Sequence, residues 1–444
     1  MNLYTLPLLS LFILCAVPAH AQDTAPDGEK PKAEKPAPTP ETLAEIFRKV
    51  LNDPENLEIN FSYANMAMQL GKYDAAITAY ERMLMIAPDL DRVKLDMALA
   101  YARLGNFTQA RELFDEVLSK NPPDNVKENV KKLIAQIDDA EKRHKFDGNI
   151  VTGINYDSNA NASPGSNQVD LFGVNVQLTG TSLAREDQHF FTAGTVNHTY
   201  TTAHQQAHKL KTSATAYKTR QNNLGSLNLT VLSAKTAFTY NITKKNGGGR
   251  ITPTVGFDDI NLGGFNYQEN LYGQLGYEHP LSNKFALSGL YRYEKRLFYN
   301  NPGNTTLEGR TGRAREQRLA AKIFMTDRDL LDVGVRLRQE VTREVRHDNR
   351  QQELILSHTH IFDGGIFLNT TGTVKRTHYK GVDILVNPNT VRRDHERSYT
   401  FTLGKQLTPN TTVAGAYQYK TVGSNIQNFA YENERTTVSL AYKF

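Results

Sequence analysis

From Phe146 to the last residue the chain alternates. In LLDVGVRLRQEV, Leu331, Val333, Val335 and Leu337 share one face, while Asp332, Arg336, Arg338 and Glu340 share the other. KFALSGLYRYEK sets Phe285, Leu287, Gly289, Tyr291 and Tyr293 against Ser288, Arg292 and Glu294, and SYTFTLGKQL sets Tyr399, Phe401 and Leu403 against Thr400 and Thr402. A period of two is the signature of a β-strand. Charges on one face and an apolar row on the other call for a wet interior inside an apolar exterior, which is the arrangement of a transmembrane barrel. A β-sandwich alternates in a similar way, but with shorter strands.

The end of the chain sharpens this reading. TTVSLAYKF places Val438, Leu440, Tyr442 and Phe444 on one face and stops on an aromatic residue. On an open soluble sheet such an edge is a liability; as the strand that closes a barrel against lipid it is not. The turns fall into two classes. PLSNK (280–284), TDRD (326–329), FDGG (362–365) and LTPN (407–410) are short and suit a periplasmic rim, whereas 300–312, 381–394 and 421–433 are longer and polar and suit the outer rim. About fifteen strand candidates can be marked. Single-chain bacterial barrels have an even number, so fourteen is the expectation, with sixteen as the other count. The register is least legible over residues 180–250.

The opening MNLYTLPLLSLFILCAVPAHAQ carries an apolar stretch and an Ala19-His20-Ala21 cleavage pattern, so residues 1–21 read as a signal peptide cut between Ala21 and Gln22. The only cysteine, Cys15, follows Leu14 rather than a small residue, which argues against a lipid anchor and leaves the mature chain without thiols. Past the leader no apolar run is long enough for a membrane helix, and the mean hydropathy is −0.52. Residues 22–40 are rich in proline, alanine, lysine and glutamate and read as a solvated spacer.

A repeat follows. LGKYDAAITAYERMLMIAP (70–88) overlays LGNFTQARELFDEVLSKNP (104–122) at an offset of 34 residues, with Gly71/Gly105, Ala76/Ala110, Tyr80/Phe114 and Pro88/Pro122 in register. The period and residue types are those of a tetratricopeptide repeat. Glycine turns the chain between paired helices, alanine lets them approach, the aromatic fills the gap and proline stops the second helix. Residues 41–145 therefore read as a small all-α solenoid, with Pro54 closing a degenerate first unit and 125–143 forming a polar last helix. By repeat position Asn65, Gln69, Arg92 and Arg103 line a groove suited to a client peptide, or simply face water. The fold class expected is α+β multidomain, this solenoid followed by an antiparallel transmembrane β-barrel over 146–444.

Charge divides unevenly: 15 Lys/Arg against 18 Asp/Glu over residues 41–145, and 34 against 25 over 146–444. No compact basic run accompanies the excess, so nucleic acid is not an expected partner. His358 and His360 share a strand face and His204 and His208 flank a turn, but neither pair brings a third metal ligand. GGG at 247–249 opens no helix and cradles no phosphate. No nucleophile–base set appears, so neither an enzyme nor a cofactor is expected. Arg336, Arg338 and Glu340 are candidate lumen residues, either guiding a substrate or pinning the wall as a charge ladder.

FDGNIVTGINYDSNANASP (146–164), with Tyr156-Asp157-Ser158-Asn159 after a glycine-containing strand, adds a more specific mark. Together with the order of leader, proline-rich spacer, short tetratricopeptide unit and barrel, it resembles the surface lipoprotein assembly modulators (the Slam family). The resemblance spans nearly the whole mature chain. It implies an outer-membrane protein of a Gram-negative bacterium with its repeats in the periplasm. Such a protein moves a client, either a surface lipoprotein or a soluble haemophore-like protein, to the cell surface. It also implies that Val438, Leu440, Tyr442 and Phe444 form the signal read by the barrel-assembly machinery. Partners would be the client, that machinery and outer-membrane lipid, with the chain itself a monomer. The competing readings are a polysaccharide-export porin, for which a basic lumen would suit an acidic glycan, and a structural barrel or adhesin.

Overall fold

A computed structural model describes residues 39–202, 208–242 and 248–444. The leader with its Ala21–Gln22 junction, Cys15, residues 22–38 of the spacer, His204 and the first glycine of the GGG turn lie outside the described residues. The chain divides into two compact units, one ending at Arg143 and the other beginning at His144.

The helical unit contains α1 (Pro40–Asn52), α2 (Leu57–Gln69), α3 (Tyr73–Ile86), α4 (Asp91–Leu104), α5 (Phe107–Ser119) and α6 (Asp124–Glu141). Thr39 caps α1, with Pro40 in its first turn, where a missing N–H costs nothing. Gly71 and Gly105 adopt φ of 69° and 80° between paired helices, the left-handed region that side chains disfavour. Ala64, Ala67, Ala76, Ala98, Ala100 and Ala110 are fully buried at the helix contacts. Tyr80 and Phe114 fill the equivalent gaps of the two repeats; burying such a ring is worth about 2–3 kcal/mol. Pro88 and Pro122 follow the ends of α3 and α5. Near Pro54, the Asn60 amide donates to the carbonyls of Pro54 and Asn56 at 2.9 and 2.8 Å and accepts from Arg82 at 2.9 Å, which ties the turn before α2 to α3.

The second unit begins with β1 (His144–Asp157), then a separate hairpin of β2 (Gln168–Leu171) and β3 (Val174–Gln177). The strands β4 (Asp187–Thr201), β5 (Lys209–Gln221), β6 (Leu229–Asn241), β7 (Arg250–Leu262), β8 (Phe265–Pro280) and β9 (Phe285–Phe298) follow. The series ends with β10 (Gly312–Phe324), β11 (Asp329–Thr342), β12 (Asn349–Ile361), β13 (Ile366–Asp383), β14 (Asn387–Thr408), β15 (Thr411–Ser424) and β16 (Tyr431–Lys443). All but β2 and β3 join one closed antiparallel barrel of fourteen strands in which β1 pairs with both β4 and β16. The expected even count holds.

Three sequence readings need revision. Residues 421–433 are mostly strand, with only 425–430 between β15 and β16, because Thr421 and Val422 already pair with Glu432 and Tyr431. Residues 381–394 are not a long loop: β13 and β14 continue past a bulge between His378 and Val382 and pair again at Val382–Val391 and Asp383–Asn387. The β2–β3 hairpin docks beside this extension, where the Phe172 and Gly173 N–H groups donate to the carbonyls of Leu385 and Val386 at 3.1 and 2.8 Å. That lateral pairing lets a polar, proline-containing stretch stay extended. The blurred register of 180–250 also has a cause. The outward positions of β4 and β5 include Thr192, Gly194, Thr212, Ala214 and Ala216, whose small side chains erase the apolar half of the alternation.

The barrel's core is inside-out. Phe190, Val255, Leu275, Leu319, Leu354, Phe401, Leu403 and Val438 are all exposed on the outer wall, while their chain neighbours point inward and, apart from Phe191 and Ile355, are polar or small. An apolar surface that encircles the molecule is far larger than water tolerates on a monomer; it is built for hydrocarbon. The barrel's first and last strand ends share one rim with the short turns at 281–284, 325–328, 362–365 and 409–410. At the opposite, far rim most connections are longer; the exceptions are the three residues 384–386 between β13 and β14 and the two-residue turn Gly263-Gly264, which adopts φ of 63° and 89° as a tight hairpin requires.

Candidate functional site

In the helical unit the four groove candidates separate. Gln69 and Arg103 are exposed on the last turns of α2 and α4. Arg92 is exposed, 4.0 Å from Asp96 and over the Phe61 ring at 5.6 Å. Asn65 is drawn into the packing, accepting from the Tyr80 hydroxyl at 3.5 Å. Asp96, which repeat position did not single out, belongs with them. Burial pushes its carboxyl up from the ordinary value and the Arg92 cation opposes that rise. Burial, and then the Asp96 charge, raises the Tyr80 hydroxyl as well. The cluster presents one cation and one reluctant anion beside an aromatic ring, suited to polar contacts with a peptide and to no bond-breaking chemistry.

Inside the barrel, Arg336, Arg338 and Glu340 lie next to one another on the inward face of β11, as the alternation requires. They belong to a longer ladder. Arg336 reaches Glu353 on β12 at 2.6 Å and Glu316 on β10 at 3.9 Å. Arg338 pairs with Glu316 at 3.1 Å, with Glu340 at 2.9 Å and with Glu294 on β9. Arg296 bridges Glu340 at 2.8 Å and Glu294 at 3.7 Å, passing over the buried Ala314 of β10. Arg292 holds Glu294 at 2.9 Å and Asp258 on β7 at 3.8 Å, with its guanidinium 3.7 Å from the Tyr272 ring centre. Four arginines thus face five carboxylates along one wall. Lys375 and Lys420 share Glu396 at 2.9 and 3.3 Å on the next strands. Charges this thoroughly paired hold strands in register rather than offering free cations to a passing anion.

The Tyr156-Asp157-Ser158-Asn159 motif closes the barrel. Asp157 accepts from Arg435 of β16 at 3.1 and 2.6 Å and from the Asn433 amide at 2.6 Å. Ser158 exchanges bonds with Glu434 at 2.9 and 2.8 Å. Asn159 donates to the Glu432 carbonyl at 3.2 Å and the Ser163 carbonyl at 2.9 Å, and Tyr156 donates to Glu186 at 2.7 Å. Deeper in the same seam Asn155 bonds His189 at 2.9 Å and receives the Thr437 hydroxyl. The motif is a clasp between the first and last strands. Its partner Arg435 lies 278 residues away, and no local pattern announces it.

At the other rim the seam is thinner. Val438, Leu440 and Tyr442 face outward, paired with Ile154, Thr152 and Ile150. Phe444 exchanges both backbone bonds with Gly148, at 2.9 and 3.0 Å, and its ring covers the space a Cβ at Gly148 would need. Before Gly148 the β1–β16 ladder has ended, and residues His144–Asp147 continue the ladder with β4. Elsewhere, His358 and His360 both bond Asp329, at 3.1 and 2.7 Å, which explains them as satisfied side chains. Among the described residues no cluster of three or more ligating side chains is arranged for a metal.

Comparison with known proteins supports the helical half by sequence. Residues 67–137 match a tetratricopeptide repeat model, and residues 41–91 match a second one. The helical unit is built of tetratricopeptide repeats. No curated protein matches the chain by sequence. Among solved structures, an outer membrane channel from Pseudomonas putida is similar at 11% identity, covering 68% of this chain and 98% of that one with a TM-score of 0.34. A loop-deletion mutant of OmpT, an outer membrane protein of Vibrio cholerae, is similar at 7% identity, covering 68% and 99% with a TM-score of 0.39. A bacterial polysaccharide outer membrane secretin is similar at 6% identity, covering 66% and 98% with a TM-score of 0.36. At such scores these likenesses carry no functional weight.

Proposed function

We propose that this chain is an outer-membrane protein that assists the movement of a client protein, a surface lipoprotein or a soluble secreted protein, to the cell surface. The tetratricopeptide unit engages the client in the periplasm, and the barrel provides the passage or the template on which the client folds. The observation that carries the reading is the seam. It is clasped at the far rim by Asp157 and Arg435, while toward the near rim the β1–β16 ladder stops at Asn149–Lys443 and the β1–β4 ladder runs on to His144–Tyr200. A seam whose two ladders end at different heights is a place where an incoming strand can add through main-chain hydrogen bonds. Folding of the client outside would make each passage one-way without nucleotide.

The glycan-export reading would need unpaired cations along the interior. The ladder supplies paired ones, and the inward cations without a carboxylate partner among the described residues, such as Lys211, Lys235 and Arg318, are spread over β5, β6 and β10. Deleting residues 41–145 tests the proposal. Co-expressed with a candidate small exported protein and scored by surface labelling, the truncated chain should still insert yet leave the client inside. Undiminished surface exposure in that variant would overturn the role given to the repeats.

A further inference from the structure

Part of the basic excess of the barrel segment sits on its outer wall. Because Glu316, Arg338, Glu353 and Lys375 point inward, the residues one step along each strand point out. At the far rim the ladder register places Arg315 of β10, Gln339 of β11, Arg350 of β12, His378 of β13 and Arg393 of β14 in one rung across five adjacent strands. Arg376 lies on the next rung beside Gln352, and Arg397 on the one after, level with Leu319, Val335, Leu354 and Val374. All of these basic side chains are exposed, and none has a carboxylate partner among the described residues. No Asp or Glu occupies an outward position of β10 to β14 at this rim. The ladder on the inner wall of β9 to β12 pairs its charges with Arg318 as the exception, whereas the five arginines gathered on the outer wall have no carboxylate beside them. Arg376 lies diagonal to Arg350, Arg393 and Arg397 on the adjoining strands, within reach of long side chains, and repulsion among these like charges is relieved by an anion between them.

The position of the belt decides which anion. It borders the apolar band directly, so a ligand that neutralises it has its anionic group at the membrane surface and its apolar part against Leu354 and Val374. Guanidinium groups bind phosphate through paired N–H bonds and remain charged at any pH a cell meets. We propose that the outward belt of Arg315, Arg350, Arg376, Arg393 and Arg397 binds the phosphate-bearing headgroups of lipid in the leaflet at the far rim, anchoring this wall of the barrel and fixing its depth. The inference rests on the membrane-embedded reading of the barrel, and its test separates the two.

The full chain in detergent, and a variant carrying Arg350→Gln, Arg376→Gln and Arg393→Gln, would be titrated with bisphosphorylated lipid A and with the same lipid after dephosphorylation. Lys218→Gln with Arg220→Gln, on the outward face of β5, serves as the control, and heat-modifiability on gels reports that each barrel is folded. The parent and the control should prefer the phosphorylated lipid by at least about tenfold, a preference that weakens as salt rises, and the triple variant should lose it. Absence of any phosphate preference in the parent would overturn the belt proposal, as would an equal loss in the control. Binding of an acidic polypeptide with the same affinity and the same dependence on the three arginines would assign the belt to a protein partner instead. In each of those cases the chain would still insert into neutral phosphatidylcholine vesicles; failure to insert at all would instead defeat the membrane reading beneath it.

Discussion

The helical unit and the barrel use the same apolar residues at opposite addresses. Phe114 is fully buried between helices, whereas Phe401 is about half exposed on the outer wall. Arginine shows the reverse contrast. Arg92 and Arg103 stand in solvent on the helices, while Arg338 is enclosed by three carboxylates. In the first unit water is outside and the core is dry. In the second the interior is polar, and hydrocarbon takes the place that a second layer of protein would fill in a soluble sheet. A residue's contribution therefore depends on which solvent it faces as much as on its chemistry.

Substitutions that mean opposite things in the two units sharpen this contrast. The largest effect is expected from Phe114→Ala, which leaves a cavity between α4, α5 and α6 and should cost about 3–5 kcal/mol. Limited proteolysis of the full chain would then cut within 39–143 while the barrel keeps its heat-modifiable mobility. Phe401→Ala should leave the helical unit untouched and shift barrel stability far less. Leu354→Arg comes next, at about 2–4 kcal/mol if the outer wall meets lipid, read as a lowered folded fraction in vesicles. The matched change Leu51→Arg, at an exposed position of α1, should be nearly silent.

Asp157→Asn is expected to cost about 1–3 kcal/mol. A partly buried Arg435 is left without its anion, and the part that reaches solvent tempers the loss. Amide exchange should rise in β1 and β16 while β10 and β11 stay protected, and a second change, Arg435→Gln, should restore part of the protection. The smallest effect is local. His347, in the turn between β11 and β12, is held down to about 4 by burial and then by the Arg310 and Arg346 charges. Its folded value lies below the unfolded one near 6.5, so the unfolded turn binds the proton first. The stabilisation is complete above about pH 6.5 and is lost as pH falls toward 4. Protection factors of the amides around residues 345–348, corrected for the intrinsic pH dependence of exchange, should fall severalfold over that window, and His347→Gln should flatten the response.

Much of this was legible in the sequence, and the rest was hidden for identifiable reasons. Repeat register revealed Gly71, Ala76, Tyr80 and their partners because each sits at a fixed offset within one local unit. Alternation revealed the inward face of β11 because its outward side chains are large. It faded over β4 and β5, where Gly194, Ala214 and Ala216 face outward, and it missed the β13–β14 extension, whose partner hairpin lies over 200 residues earlier. The clasp by Asp157 and the basic belt are properties of strand register across the closed sheet. Composition counted the excess cations; only the rung through Arg315, Arg350 and Arg393 says where they are.

The most direct test of the inside-out barrel places a single bimane-labelled cysteine on each face of the wall, with the chain's one cysteine, Cys15, replaced by serine. Leu319→Cys, Leu354→Cys and Leu403→Cys report outward positions; Ala320→Cys and Thr373→Cys report inward ones. In reconstituted vesicles the outward set should be quenched by brominated acyl chains and shielded from iodide, and the inward set should behave the other way round. Iodide quenching of the outward set, with no response to brominated lipid, would contradict the account.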